Sequence, residues 1–413
     1  MRSGGLVQVQ VYVQVGVQVQ VRPGTWVRAH AVYHPAMQSG NRIEAGQGPA
    51  GRLQSTPLAL HVRMGSAIVG GTDRALASLA IGMSNLGSEL HLAVLDDGRT
   101  NWDLLHAFHA DVPLTLHRLP ADFRFDPLVG RRLARLARGI GASVIHAWDY
   151  KSDIAACASP LPWVATLHGM GGASRRLRFY SWLDRIALKR AARVFAVSEA
   201  LAATHKGARK VRLVPNTVVA PATPPRQTVN CPHRLVAVGR MEAGKGFDLL
   251  LEAFAACLVE APGLVLTLVG EGSRRASLEA QARHLALGER VRFTGWLADV
   301  TPALDAADLL VVPSLAENQP MVLLEAMARG LPAVVTSVGE MARLVTVPAT
   351  GLIVPPGGIP ALTAAILQAT RSSFDSAAAW ERVRAHHAPE LLASIYFATY
   401  TEVVSAAPGA RRR

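Results

Sequence analysis

The chain has 413 residues, half of them hydrophobic and 18% charged, which excludes an intrinsically disordered protein and leaves room for two domains with full cores. Its apolar runs, such as Leu264–Val269 and Leu309–Val312, fall far short of the roughly 18–20 residues of a spanning helix, and no secretory signal is visible, so a soluble protein is expected. Three cysteines give neither a disulfide framework nor metal-ligand spacing and fit a reducing cytoplasm, while a formal charge of +13 favours contact with nucleotide phosphates, anionic lipid headgroups or nucleic acid.

From Val7 to Val21 every odd position is valine and most even ones are glutamine. At face value this is a strand with one apolar and one polar face. A perfect dipeptide repeat also fits translated repetitive sequence or an early start. Residues 22–56, rich in Gly, Ser, Gln and Pro, read as unstructured, so residues 1–56 are taken as a disordered low-complexity extension.

Order is expected from about Leu58, where Leu58–Val62 reads as a first strand. A Gly-rich turn over Gly65 to Gly71 leads into a helix at Asp73–Leu86 and a strand at Leu90–Leu95. The alternation continues with a helix at Leu128–Arg138 and strands at Ser143–His146 and Trp163–Leu167. A basic helix at Ser174–Ala191 then precedes strands at Arg193–Val197 and Val211–Val214. The stretches Asp97–Asp111 and Asp149–Ser159 read as loops. Residues 218–233 contain four prolines and read as a linker.

A second alternating series follows. Its strands are Leu235–Val238, Leu264–Val269, Val291–Phe293, Leu309–Val312, Ala333–Val335 and Gly351–Val354. Phe247, Leu250, Leu251, Phe254 and Leu258 mark an amphipathic helix, and Asp375–Val404 reads as a helical tail. Strands alternating with helices predict α/β architecture: two doubly wound Rossmann-like domains, 57–217 and 234–374, facing a central cleft. The segment 375–413 is expected to pack back toward the first domain.

The most informative chemistry lies at Pro313–Gly330. A buried strand ends there, and a helix begins near Pro320 and stops at Gly330. From Met321 to Ala328 the helix is apolar except for Glu325. A lone carboxylate on a buried helix is costly unless something bonds it, and ligand hydroxyls or a nearby backbone group or Arg would serve. Glu317 sits eight residues earlier in the loop, so both carboxylates converge near a helix N-terminus, a place that favours a diphosphate. In Val238–Phe247, Arg240 and Lys245 stand on a strand-end loop with Gly244 and Gly246 freeing the backbone. That arrangement suits a pyrophosphate or, equally, an ordinary solvated loop.

Several motifs in this order resemble the retaining GT-B glycosyltransferases of family 4, which include bacterial polysaccharide, lipopolysaccharide and phospholipid glycosyltransferases. They are Gly70-Gly71-Thr72-Asp73-Arg74, His168 in ATLHG, AVSEA at 196–200 and VPNT at 214–217. GR…KG at 239–246, LVGEG at 268–272, FTG at 293–295 and the E-x7-E pair Glu317 and Glu325 complete the set. The resemblance implies a nucleotide-diphosphate sugar, UDP- or GDP-linked, as donor substrate, with no other cofactor and no metal; the chain contains no D-x-D triplet. Arg240 and Lys245 would hold the diphosphate, Glu325 the ribose and Glu317 the donor sugar. The backbone of Asn318, Gln319, Pro320 and Met321 would help cradle the donor sugar. Gly70 and Gly71 would let backbone approach the phosphates, and His168 would face the reacting centre. The family often has Gly-Phe after the first Glu; here Asn318-Gln319 stands there, which bears on sugar selectivity.

The implied acceptor is a glycan or lipid-linked molecule of cell-surface polysaccharide or lipopolysaccharide synthesis. Two alternatives are a non-catalytic or epimerase-like GT-B protein that binds nucleotide sugars, and a basic membrane- or nucleic-acid-binding protein. Residues 171–212 carry eleven Lys or Arg against Asp184 and Glu199, interleaved with Phe179, Tyr180 and Trp182. No nucleic-acid motif accompanies them, so this face reads either as meeting an anionic membrane, with the protein cytoplasmic and peripheral on the inner side, or as an ordinary solvated helix face.

Overall fold

The computed structural model describes residues 18–22, 25–28, 57–121, 126, 128–169, 175–205, 211–224 and 228–407. They belong to two units, Met1–Ser55 and Thr56–Arg413. In the first, β1 (Gln18–Arg22) and β2 (Thr25–Arg28) pair antiparallel with Val19 opposite Val27. The stretch expected to be unstructured thus carries a strand, where Thr25, Trp26 and Val27 favour extended backbone. Residues 7–17 of the repeat lie outside the described residues.

The second unit begins with a seven-stranded parallel sheet. Its elements are β3 (Ala59–Met64), α1 (Gly71–Asn85), β4 (Leu90–Asp96), α2 (Trp102–Phe108), β5 (Leu114–Pro120), α3 (Val129–Gly139) and β6 (Val144–Ala147). Then come α4 (Tyr150–Cys157), β7 (Trp163–Leu167), α5 (Arg175–Leu188), β8 (Arg193–Ala196), α6 (Glu199–Thr204) and β9 (Val211–Leu213). The strand order is β5-β4-β3-β6-β7-β8-β9, so the winding reverses between β3 and β6 and opens a crevice at their carboxyl ends. The sheet is buried on both faces. Leu60, Val62, Leu95 and Ile145 point to one core, while Ala59, Leu90, Val94 and Val144 point to the other.

Two segments expected to be loops are partly helical. Asn101 caps α2 by accepting from the Leu104 amide, and Asp149 caps α4 by accepting from the amides of Lys151 and Ser152. Helices of 7 and 8 residues are too short to display an apolar period, so the caps were their main signal.

The second sheet has six parallel strands. The elements are β10 (Thr228–Asn230), β11 (Arg234–Val238), α7 (Phe247–Glu260), β12 (Val265–Val269), α8 (Arg275–His284), β13 (Val291–Gly295), α9 (Thr301–Asp305) and β14 (Leu309–Val312). They continue with α10 (Met321–Ala328), β15 (Ala333–Thr336), α11 (Met341–Leu344), β16 (Gly351–Val354), α12 (Ile359–Ala369), β17 (Ser373–Asp375), α13 (Ser376–His386) and α14 (Pro389–Ala406). The order is β13-β12-β11-β14-β15-β16, while β10, inside the expected linker, pairs antiparallel with β17.

The expected helical tail is two helices, because Pro389 cannot continue α13 and instead starts α14. Leu392, Ala393, Tyr396, Tyr400 and Val403 of α14 share a core with Leu76, Leu79 and Met83 of α1. The two helices meet at Gly82, where an added Cβ would lie 2.4 Å from Pro389 backbone. Beneath α14, Tyr400 bonds His146 Nδ1 at 2.6 Å and Tyr396 bonds Thr166 at 2.9 Å, closing a buried polar row on the sheet.

Candidate active site

The segment from β14 to α10 is gripped from two sides. Leu315 N–H donates to Gly244 O (2.9 Å), Thr336 Oγ1 to Ser314 O (2.6 Å) and Glu340 N–H to Asn318 O (2.7 Å). Gly246 has φ +67°, and a Cβ there would sit 2.2 Å from Pro313 O; Gly339 has φ +57°, and a Cβ there would sit 2.4 Å from Glu317 O. Only glycine permits both this backbone and this approach. Pro320 is the N-cap rather than the first residue of α10, and Gly330 (φ +67°) ends the helix with its N–H on Met327 O at 2.9 Å.

Charges meet in two pairs. Lys245 Nζ bonds Glu317 Oε2, both side chains being mostly buried. Arg74, from α1, places Nη1 3.3 Å from Glu325 Oε1 and donates through Nη2 to Ala298 O at 3.2 Å. Burial pushes the Glu325 carboxyl above its ordinary range, and Arg74 works against that shift. Arg240 is exposed at the end of β11 and forms no ion pair among the described residues.

The N-terminal domain contributes His168, just after β7. Its ring stacks on Trp148 at 5.3 Å between centroids, and Trp148 Nε1 donates to His61 Nδ1 at 3.0 Å. Burial lowers the His168 imidazole to about 4, so it is neutral at physiological pH, and its Nε2 is sealed from solvent without a hydrogen-bond partner among the described residues. Gly70 caps α1, its N–H donating to Asp73 at 2.9 Å. Gly71 opens the helix opposite Met321, whose Cγ is 3.9 Å from where a Cβ would be.

The structure therefore brings together most of the residues singled out in the sequence. Lys245 meets Glu317, Gly71 faces Met321, and Asn318 Nδ2 donates to His168 O at 3.2 Å while its Oδ1 accepts from Ser198 Oγ at 3.1 Å. Gln319 is held by Asn216: the Asn216 N–H donates to Gln319 Oε1 at 2.5 Å and Nδ2 to Gln319 O at 2.9 Å. Arg240 and Gly70 stand apart from these contacts. Arg74 and Asn216 were outside the expected set although both lie in quoted motifs, since each is defined by a partner over 100 positions away. Among the described residues no group of three or more His, Cys, Asp or Glu could hold a metal ion.

Two doubly wound parallel sheets facing a cleft place the chain in the GT-B class of α/β proteins. A family model described as Glycosyltransferase Family 4 matches residues 69–220, and one described as Glycosyl transferases group 1 matches 232–372. A glycogen synthase of Mycobacterium tuberculosis is 30% identical over 290 residues, covering 64% of this chain and 68% of that protein. The lipopolysaccharide core biosynthesis glycosyltransferase LpsE of Rhizobium meliloti is 40% identical over 102 residues, which span 25% of this chain and 29% of LpsE. The crystal structure of Anabaena HepE in complex with UDP superposes with a TM-score of 0.66 at 20% identity, covering 83% of this chain and 99% of HepE. The chain belongs to glycosyltransferase family 4.

Proposed function

We propose that the protein moves a sugar from a UDP- or GDP-linked donor to a glycan or lipid-linked acceptor, with retention at the anomeric carbon and without a metal, in the synthesis of cell-surface polysaccharide or lipopolysaccharide. The observation that carries this reading is the β14–α10 loop, which sets Glu317 against Lys245 and leads into a helix bearing Glu325 on a largely buried face. The names of LpsE and of the UDP complex of HepE point the same way.

In this reading the bond from the anomeric carbon to the diphosphate oxygen breaks, and an acceptor hydroxyl oxygen takes that oxygen's place on the same face while its proton passes to the departing diphosphate. Negative charge grows on the departing diphosphate. Lys245, Arg240 and the amide-rich start of α10 would stabilise it, Lys245 exchanging its bond to Glu317 for phosphate oxygens. Glu317, so released, would accept from donor-sugar hydroxyls, and Glu325 from ribose hydroxyls. Neutral His168, held flat by Trp148, would offer a ring nitrogen to a hydroxyl at the reacting centre. A thermal-shift panel of UDP, GDP, ADP, CMP, NAD and NADP on the full chain, with EDTA present, tests the reading. A selective rise with UDP or GDP is expected; a rise with NAD or NADP alone would overturn it.

The membrane reading rests on α5. Phe179 and Trp182 are 50% and 55% exposed and stack on each other at 6.0 Å, with Ile186 beside them, exposed Arg178 and Arg185 on the same helix, and exposed Lys189 and Arg190 in the turn after it. An apolar strip with cationic neighbours suits an anionic bilayer surface. No helix among the described residues is long and apolar enough to cross a membrane. Residues 171–174 and 206–210 of the basic stretch lie outside the described residues. Co-sedimentation should favour anionic over neutral liposomes, and equal pelleting would remove this partner.

A further inference from the structure

The chain passes between the two domains at residues 214–218 and again at His387, and these two passages are bonded to each other. Val218 N–H donates to His387 O at 3.0 Å, and His387 Nδ1 bonds Asn216 O at 2.8 Å. Since a carbonyl only accepts, Nδ1 carries the proton. Burial lowers the pKa of this imidazole, which keeps it neutral. Thr217 Oγ1 lies 3.0 Å from Ser78 Oγ, fastening the same passage to α1. Asn216, Thr217 and His387 are 4%, 0% and 6% exposed, so none of these groups has water as a substitute partner.

Onto this clasp the loop of Glu317 is fixed through one residue. Both bonds to Gln319, one to its side chain and one to its carbonyl, come from Asn216. Asn318 and Gln319 are the two positions where this chain departs from the Gly-Phe common in its family, and their side chains make bonds to the other domain. The polar pair thus ties the loop to the hinge.

We infer that Asn216, held by His387, is a positioning residue that registers the Glu317 loop against the interdomain hinge. A change in hinge geometry then moves the loop, and a disturbed loop loosens the hinge. The loop's importance for donor binding rests on the function proposed above, whereas the mechanical link does not.

Hydrogen exchange of the full chain separates the two. Asn216→Ala and His387→Ala should raise exchange in peptides covering 313–322 by about tenfold or more, the scale of one lost buried hydrogen bond, while peptides in β12 and β13 keep their protection. His387→Asn, whose amide N–H can replace Nδ1–H, should restore slow exchange. Titration with UDP and GDP should show about tenfold weaker binding in the two alanine variants and recovery in His387→Asn. Unchanged exchange at 313–322 in both alanine variants would overturn the link, as would a uniform rise across the second domain that His387→Asn fails to reverse. A wild-type protein that binds neither nucleotide would instead overturn the donor-site reading, leaving the exchange result to decide the link.

Discussion

Glu325→Gln tests the donor site with the least change of shape. The carboxylate is 16% exposed, paired with Arg74 at 3.3 Å, and raised in pKa by burial. A hydrogen bond to a charged acceptor is worth about 1.5–3 kcal/mol against about 0.5–1.5 for a neutral one. Two ribose hydroxyls bonded to the amide in place of the carboxylate would therefore lose about 2–3 kcal/mol, or roughly 30- to 150-fold in nucleotide affinity. Folding should change little. The substitution removes the pairing with Arg74, but it also removes the cost of ionising a buried acid. That cost has a definite sign: a carboxyl whose folded pKa is raised stabilises the fold below its unfolded value near 4.5 and loses that contribution as pH rises through the folded value. Calorimetric titration with UDP and GDP at pH 7.5, with a urea melt of each protein, measures both effects. Wild-type affinity should also fall as the pH drops through the raised pKa, and that dependence should vanish in Glu325→Gln. A variant that folds normally and binds within twofold of wild type would place Glu325 outside the site.

Other perturbations follow from the same geometry. Lys245→Ala removes a charge-assisted contact and should weaken nucleoside-diphosphate binding by about tenfold or more in the same titration; unchanged affinity would put the diphosphate elsewhere. Tyr400→Phe leaves buried His146 Nδ1 without its partner at 2.6 Å and should cost about 1–3 kcal/mol, read as a lower urea midpoint at constant slope. Acid should destabilise the fold between pH 6.5 and 4. His61, His109 and His168 are lowered by burial to about 3, 4 and 4, and His146 well below its ordinary value, so all four gain protons only on unfolding. Asp184, raised to about 6, and Asp153, also raised by burial, oppose this by releasing protons on unfolding, but the four imidazoles outnumber them, so stability should fall as the pH drops. Urea midpoints that stay flat from pH 7 to 5 would contradict it.

What could be read in the sequence was what a single element determines. Strand boundaries such as Trp163–Leu167, Leu309–Val312 and Gly351–Val354 coincide with the observed ones, because continuous apolar runs between Gly and Pro admit few other readings. The buried helix of Glu325 was legible for the same reason. The helices α2 and α4 were missed because a turn or two cannot show a period, although Asn101 and Asp149 announced them as caps.

The missed parts of the site are of another kind. Arg74 lies 251 positions from Glu325, and Asn216 lies 103 from Gln319. The buried position of Glu325 called for some partner but not for Arg74 in particular, and Asn216 looks like ordinary surface polarity until both sheets have formed. The departure at Asn318-Gln319 was visible, and sugar selectivity was its natural local reading. The bonds give it a second meaning. An amide side chain can reach the opposite domain and be satisfied there, whereas phenylalanine could only pack, so this pair adds hydrogen bonds of fixed geometry to the contact between the two domains. A Gln319→Phe variant should accordingly lose the slow exchange of residues 313–322 even where its ring is accommodated, and retained protection would show that packing alone holds the loop.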